Sequence, residues 1–94
     1  MTKSIIQTEK ECYVCGTTQG LHYHHIFYGT ANRRLSDEDG CGVYLCQRHH
    51  TGAAGVHFNR KADLTLKERC ERAWLEYYNK TIEDFIERYG KNYL

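Results

Sequence analysis

The sequence predicts a small α+β domain: a β-hairpin pinned at its two ends, followed by two helices. Three observations predict it. Two runs rich in aromatic and β-branched residues, 21–28 and 41–45, flank a polar segment bounded by Gly29 and Gly40. A Cys-x-x-Cys at Cys12 and Cys15 and a Cys-x-x-His at Cys46 and His49 bracket those runs. From Asp63 onward, apolar residues recur at helical spacing. The 94 residues make one domain, 1–94, with knuckles and hairpin in 12–57 and helical support in 63–90. So short a chain buries only roughly 60–65% of its unfolded surface, and a disulfide, a metal or a partner usually supports its core.

Residues 1–11 are polar apart from Ile5 and Ile6 and read as a short edge strand or a frayed terminus. Cys12-Tyr-Val-Cys15-Gly16 reads as a zinc knuckle, because two thiolates two residues apart can reach one tetrahedral ion and Gly16 eases the turn. The bland alternative is a redox pair. That motif belongs between a strand and a helix, whereas 16–20 reads as a turn. In the strand over 21–28, Leu21, Tyr23, His25 and Phe27 share one face, and His22, His24, Ile26 and Tyr28 share the other. His24 and His25 therefore face one ion only if the strand bends or ends there.

Residues 29–40 read as a polar loop, and 41–45 as the second strand. Arg33 and Arg34 in that loop are either solvated or phosphate-binding. Cys46 and His49 repeat the two-residue spacing and supply the other two zinc ligands. Thirty residues separate Cys15 from Cys46, and the hairpin fills that gap, so the zinc would pin its ends together. His50 follows a ligand and should point elsewhere. Residues 51–55 read as a flexible turn. His57 is either a bland surface or core histidine, or shares an ion with His50 once the loop glycines let the chain double back. A helix over 63–79, capped by Asp63, carries the stripe Leu66, Cys70, Ala73, Trp74 and Tyr77, which reads as core. Thr81 and Asp84 resemble a capping box opening a second helix, with Ile82, Phe85, Ile86 and Tyr89 as its apolar face and Gly90 ending it.

Composition narrows the setting. The five cysteines are odd in number and not spaced as a secreted framework. Neither a signal-peptide run nor roughly 18 consecutive apolar residues occurs, so a cytoplasmic protein with no membrane partner is expected, where Cys-x-x-Cys means metal or redox chemistry. Net charge is +1, too little to argue for nucleic acid alone. Residues 64–94 hold six basic and six acidic groups, so any basic surface is local: Arg33-Arg34, Arg48 and Arg60-Lys61. All six histidines fall within 21–57.

The pattern Cys12-x-x-Cys15, His24-His25-Ile26 and Leu45-Cys46-x-x-His49-His50 resembles the HNH nucleases, also called His-Me finger or ββα-metal nucleases. The tail, from Gly55-Val-His-Phe-Asn59 through Gly90-Lys-Asn-Tyr-Leu94, looks like that of small phage- and prophage-encoded members. The resemblance implies a ββα-metal, treble-clef-like fold and hydrolysis of DNA phosphodiester bonds. It implies His25 as the general base, His24 and His50 as ligands of a catalytic ion, and His57 as a third. In the family's ββα element a helix directly follows the second strand. Here Gly52 and Gly55 shorten that helix or shift its role to 63–79. The family's asparagine, which orients the base, often lies five residues before the zinc cysteine, where this chain has Cys41. Asn32, or a backbone carbonyl, takes that role instead.

The chemistry is coherent with this. A phosphodiester needs an in-line water, a base of near-neutral pKa and a cation for the phosphate and leaving oxygen. Histidine-rich ligation favours Mn²⁺, Ni²⁺, Co²⁺ or Zn²⁺ over Mg²⁺, so one divalent ion is expected besides the structural Zn²⁺. DNA is the expected partner, with a homodimer or a larger phage assembly as further protein partners and the host cytoplasm as the setting. The alternative is a non-catalytic zinc module binding nucleic acid or a protein. It predicts one tightly held zinc, whereas the enzyme predicts a second, exchangeable ion. A thiol oxidoreductase using Cys12 and Cys15 predicts free, titratable thiols.

Overall fold

A computed structural model of the protein describes residues 3–52 and 55–94. Among the described residues six elements follow in order: β1 (Leu21–His25), α1 (Asn32–Asp39), β2 (Gly42–Cys46), α2 (Gln47–His50), α3 (Arg60–Tyr77) and α4 (Ile82–Tyr89). The two strands pair antiparallel, with Leu21 opposite Cys46, Tyr23 opposite Tyr44 and His25 opposite Gly42. The chain is thus a small α+β unit with a two-stranded hairpin and helices. Among the described residues, no helix is long and apolar enough to cross a membrane.

The first strand is shorter than its composition suggests. It ends at His25, and the next two residues, Ile26 and Phe27, are both buried in the core. Ser36 replaces the ladder there: its Oγ donates to the Phe27 carbonyl at 2.6 Å and accepts from the Phe27 N–H at 3.1 Å. Ser36 belongs to α1, so the polar loop expected over 29–40 is instead largely a helix. Leu35 is its one strongly apolar residue, and Ala31 before it offers no side-chain cap. Polar groups hold this helix in place. The Asp39 carboxylate accepts from Trp74 Nε1 at 2.9 Å and Tyr89 Oη at 2.7 Å. It also accepts from Arg88 Nε at 2.6 Å and Nη2 at 2.8 Å. One buried carboxylate thereby ties α1 to α3 and α4.

Gly40 ends α1 in the left-handed region at φ 74°, and any side chain there would run into the Lys3 carbonyl. From Lys3 to Glu11 the N-terminal segment is neither strand nor frayed end; residues 1 and 2 of that reading lie outside the described residues. Ile5 donates its N–H to Gly40 at 3.0 Å, and Gln7 Oε1 accepts from the Tyr44 N–H at 2.8 Å. The segment is laid against the hairpin by these bonds.

The core gathers Ile26, Phe27, Val43 and Leu45 from the hairpin region with Leu66, Cys70, Trp74, Phe85 and Tyr89 from the helices. Phe85 is fully buried, with its ring 4.8–5.3 Å from those of Tyr89, Phe27 and Trp74. Three helix expectations need correction. α3 starts at Arg60, where Asn59 rather than Asp63 caps it by accepting from the Ala62 N–H at 3.1 Å. Asp63 is engaged instead with Lys67 and Tyr28. Tyr77 is exposed, and the neighbouring Tyr78 turns inward to donate to the Asp39 carbonyl at 2.9 Å. In α4, Phe85 and Tyr89 are buried while Ile82 and Ile86 face solvent, since an eight-residue helix presents little more than one inward stripe. The capping box of Thr81 and Asp84 and the left-handed Gly90 are present as read.

Candidate metal centre

Two separate groups of side chains converge on points that could each hold an ion. The first comprises Cys12, Cys15, Cys46 and His49. Cys12 and Cys15 sit on a tight turn in which the Gly16 N–H donates to the Cys12 carbonyl at 2.8 Å, with Gly16 at φ 79°. The Tyr13 N–H donates to the Tyr44 carbonyl at 2.9 Å and docks that turn beside β2. Cys46 closes β2, and α2 starts directly after it, carrying His49 back toward the thiols.

The spacing of the donor atoms tests whether an ion fits. Cys15 Sγ lies 3.8 Å from Cys46 Sγ, and His49 Nδ1 lies 3.3 Å from Cys46 Sγ and 3.7 Å from Cys12 Sγ. A tetrahedron with bonds of about 2.3 Å to sulfur and 2.0–2.1 Å to nitrogen has edges of about 3.4–3.8 Å. The group fits. Burial works to raise the Cys12 thiol, but N–H groups of Cys46, Cys15 and Val14 outweigh it and hold the thiol at about 6, so the ligating thiolate is accessible at neutral pH.

The second group comprises His24, His50 and His57. Strand alternation and the register that sets His24 opposite Val43 turn His22 and His24 to one face of the hairpin. α2 lies on that face: the His50 ring is 5.2 Å from those of both His22 and His24. Consecutive helix residues point about 100° apart, so His49 serves the cysteines while His50 turns to the histidines. The chain then doubles back, with the Val56 N–H on the His49 carbonyl at 3.1 Å and the His57 N–H on that of His50 at 3.3 Å. Within the turn read over 51–55, residues 53 and 54 lie outside the described residues.

His50 Nε2 and His57 Nε2 are 3.1 Å apart, about the edge expected between two imidazole ligands of one ion. The His24 Nε2 is buried and has no hydrogen-bond partner among the described residues, which is costly unless something is bound there. Burial, and then the neighbouring His50 and His57, push the His24 pKa down to about 3. His50 is lowered too, by burial first and then by the neighbouring His57 and His22. Both rings therefore stay neutral and offer a lone pair. This second group also fits an ion.

Both members of the histidine pair reach one cleft of about 180 Å³, lined by Tyr23, His24, His25, Tyr28, Arg33, His50 and His57. Ending β1 at His25 removes the alternation conflict. His25 presents Nε2 to the Asp37 carboxylate at 3.6 Å. Of the two arginines, Arg33 lines the cleft, whereas Arg34 is turned outward in a pair with Glu38 at 3.2 Å. Asn32 is not brought to His25: its amide donates to the Tyr89 carbonyl at 3.0 Å. Cys41 is buried beside Tyr89 Oη at 3.6 Å.

Asp37 and His22 are the site neighbours that sequence reasoning passed over. A signal for Asp37 exists. The i,i+4 pairs Arg33/Asp37 and Arg34/Glu38, followed by Gly40, read as a helix with one pair facing in and one facing out. Comparison with protein-family models gives no match, and neither curated proteins nor solved structures match significantly.

Proposed function

We propose that the protein is a metal-dependent endonuclease of the HNH type that hydrolyses DNA phosphodiester bonds. One observation carries this reading. His24, His50 and His57 converge beside His25 and Arg33 in a single cleft, apart from the cysteine group. A structural ion held by Cys12, Cys15, Cys46 and His49 needs none of these histidines. In this reading that ion is Zn²⁺, suited by three thiolates and an imidazole, and it pins a ββα-metal, treble-clef-like hairpin.

A divalent ion on His24, His50 and His57 supplies positive charge for the phosphate and the leaving oxygen, and an imidazole set favours Mn²⁺, Ni²⁺, Co²⁺ or Zn²⁺ over Mg²⁺. His25 acts as general base. With Nε2 turned to Asp37, Nδ1 is the nitrogen left to take the proton of the attacking water. A bond forms from that water to phosphorus as the bond to the leaving oxygen breaks, and the leaving oxygen takes a proton from solvent. Arg33 offers a planar fork of donors to the non-bridging phosphate oxygens. The working location is the cytoplasm, that of the host if the protein is phage-encoded.

Nicking of supercoiled plasmid tests this. Wild-type protein and His25→Ala are compared after chelation and re-addition of Mg²⁺, Mn²⁺, Ni²⁺ or Zn²⁺. Nicking that needs both an added ion and His25 is expected; nicking that survives His25→Ala in clean protein refutes the assignment. One observation favours a second reading, a non-catalytic zinc module that binds nucleic acid or a protein. Asn32 is committed to Tyr89 and Cys41 is buried, so the orienting amide of the HNH pattern has no counterpart at either position. That module predicts a single ion per chain and no nicking.

A further inference from the structure

We infer that His22 is a positioning residue of the histidine metal site: it accepts the Nδ1 proton of His50 and so fixes the tautomer through which His50 binds the ion. The inference rests on the reading of His24, His50 and His57 as ligands. It starts from the two ends of one ring. His50 Nε2 is 3.1 Å from His57 Nε2, while His50 Nδ1 is 3.0 Å from His22 Nδ1. A neutral imidazole has one lone pair and one N–H. When the Nε2 lone pair serves an ion, the proton sits on Nδ1, and it then points at His22. His22 Nδ1 is therefore the acceptor, and His22, an exposed residue, carries its own proton on Nε2.

The placement is built in by the fold. His22 and His24 are alternate residues of β1 and share one face, and both rings meet the His50 ring edge-on. His22 pairs with Leu45, next to the Cys46 that opens α2, so the ladder sets the height of His22 against that helix. His22 does not read as a fourth ligand, since it faces the nitrogen of His50 opposite the one in the cluster. A histidine ligand whose second nitrogen is held in this way binds its metal more tightly, typically by 10–100-fold.

The test is Co²⁺ binding to the full chain after mild chelation that leaves one zinc per chain, followed by competition with a fluorescent chelator and by the d–d absorption spectrum. His22→Ala is expected to weaken Co²⁺ binding about 10–100-fold while leaving the saturated spectrum unchanged. His22→Asn, whose Oδ1 falls where Nδ1 lies, is expected to bind within about 3-fold of wild type, since it keeps the acceptor. Equal affinity in His22→Ala and wild type overturns the inference, as does His22→Asn binding as weakly as His22→Ala. A changed spectrum in His22→Ala also overturns it, making His22 a direct ligand. Wild-type protein that takes up no Co²⁺ fails earlier, and removes the metal-site reading together with this one.

Discussion

Replacing Asp39 by alanine strands three donors at once. Trp74 Nε1 and Tyr89 Oη, both on buried residues, lose a partner at 2.9 and 2.7 Å, and Arg88 loses a two-pronged contact at 2.6 and 2.8 Å. Each stranded buried donor costs about 1–3 kcal/mol. Arg88 is about a third exposed and recovers much of its hydration, so its share is discounted. Tyr89 keeps a weaker contact to the Leu35 carbonyl at 3.2 Å. The sum is about 3–5 kcal/mol, in the range for breaking a buried ion pair. Against a total of about 5–15 kcal/mol for a domain of ordinary stability, that is a large fraction. At about 4–8 °C per kcal/mol, Tm falls by roughly 12–40 °C. Urea and thermal melts of Asp39→Ala, Arg88→Met and the double variant measure it. In the Asp39→Ala background, Arg88→Met should cost at least about 1 kcal/mol less than in wild type, because the guanidinium has already lost Asp39 and keeps the looser contact to Glu38 at 3.6 Å. A loss under about 1 kcal/mol for Asp39→Ala, or strict additivity in the cycle, refutes the view of Asp39 as the tie between α1, α3 and α4.

Chelation should lower Tm strongly and change the thiol count. Protein holding its first ion shows no fast-reacting thiol although Cys15 is exposed, and the chelated protein shows three, from Cys12, Cys15 and Cys46; a fast thiol before chelation speaks against the ligand set. Asp37→Asn should slow plasmid nicking about 10–100-fold while leaving the metal content unchanged, and an unaltered rate removes Asp37 from the orientation of His25. Glu71 is fully buried, and burial raises its pKa despite the Tyr93 N–H donated to it at 2.7 Å. A raised acid pKa means the folded state binds the proton more tightly. The stability this group contributes is complete below its unfolded pKa, near 4.5, and is lost as pH rises through the higher folded value. Glu71→Gln, which keeps an acceptor for Tyr93, should therefore melt above wild type at pH 7, with the gap closing toward pH 4. A gap that does not change with pH contradicts this.

Much of the fold lies open in the sequence wherever apolar residues do the folding. The strands around Tyr23 and Val43 follow from runs rich in aromatic and β-branched residues, and Leu66, Cys70 and Trp74 follow from helical spacing. The cap at Thr81 follows from a side chain bonding its own neighbourhood. α1 is illegible for the opposite reason: its buried residues are Ser36 and Asp39, whose partners are Phe27, Trp74, Arg88 and Tyr89, up to 50 positions away. Polar groups satisfied at such range look like a solvated loop when read along the chain. Tyr77 misled for a related reason, since periodicity gives spacing but not where the partner surface stops. The histidines of the site could be picked out by type and adjacency. Which nitrogen faces which neighbour depends on the strand register and on where β1 ends, and a linear reading fixes neither.

α2 has four residues, and its last two, His49 and His50, are turned to different ion-holding groups. So short a helix has no stability of its own, and its conformation is set by what its ends are attached to. An ion bound on the cysteine side would order the backbone that aims His50, and part of its binding free energy would be transmitted to the histidine side. Linkage is reciprocal: whatever factor the first ion adds to the affinity for the second, the second returns to the first. The pair then works as a checkpoint. In the proposed nuclease, a chain that has not acquired its structural ion would not present a finished catalytic one, and would stay inactive toward nucleic acid until it did.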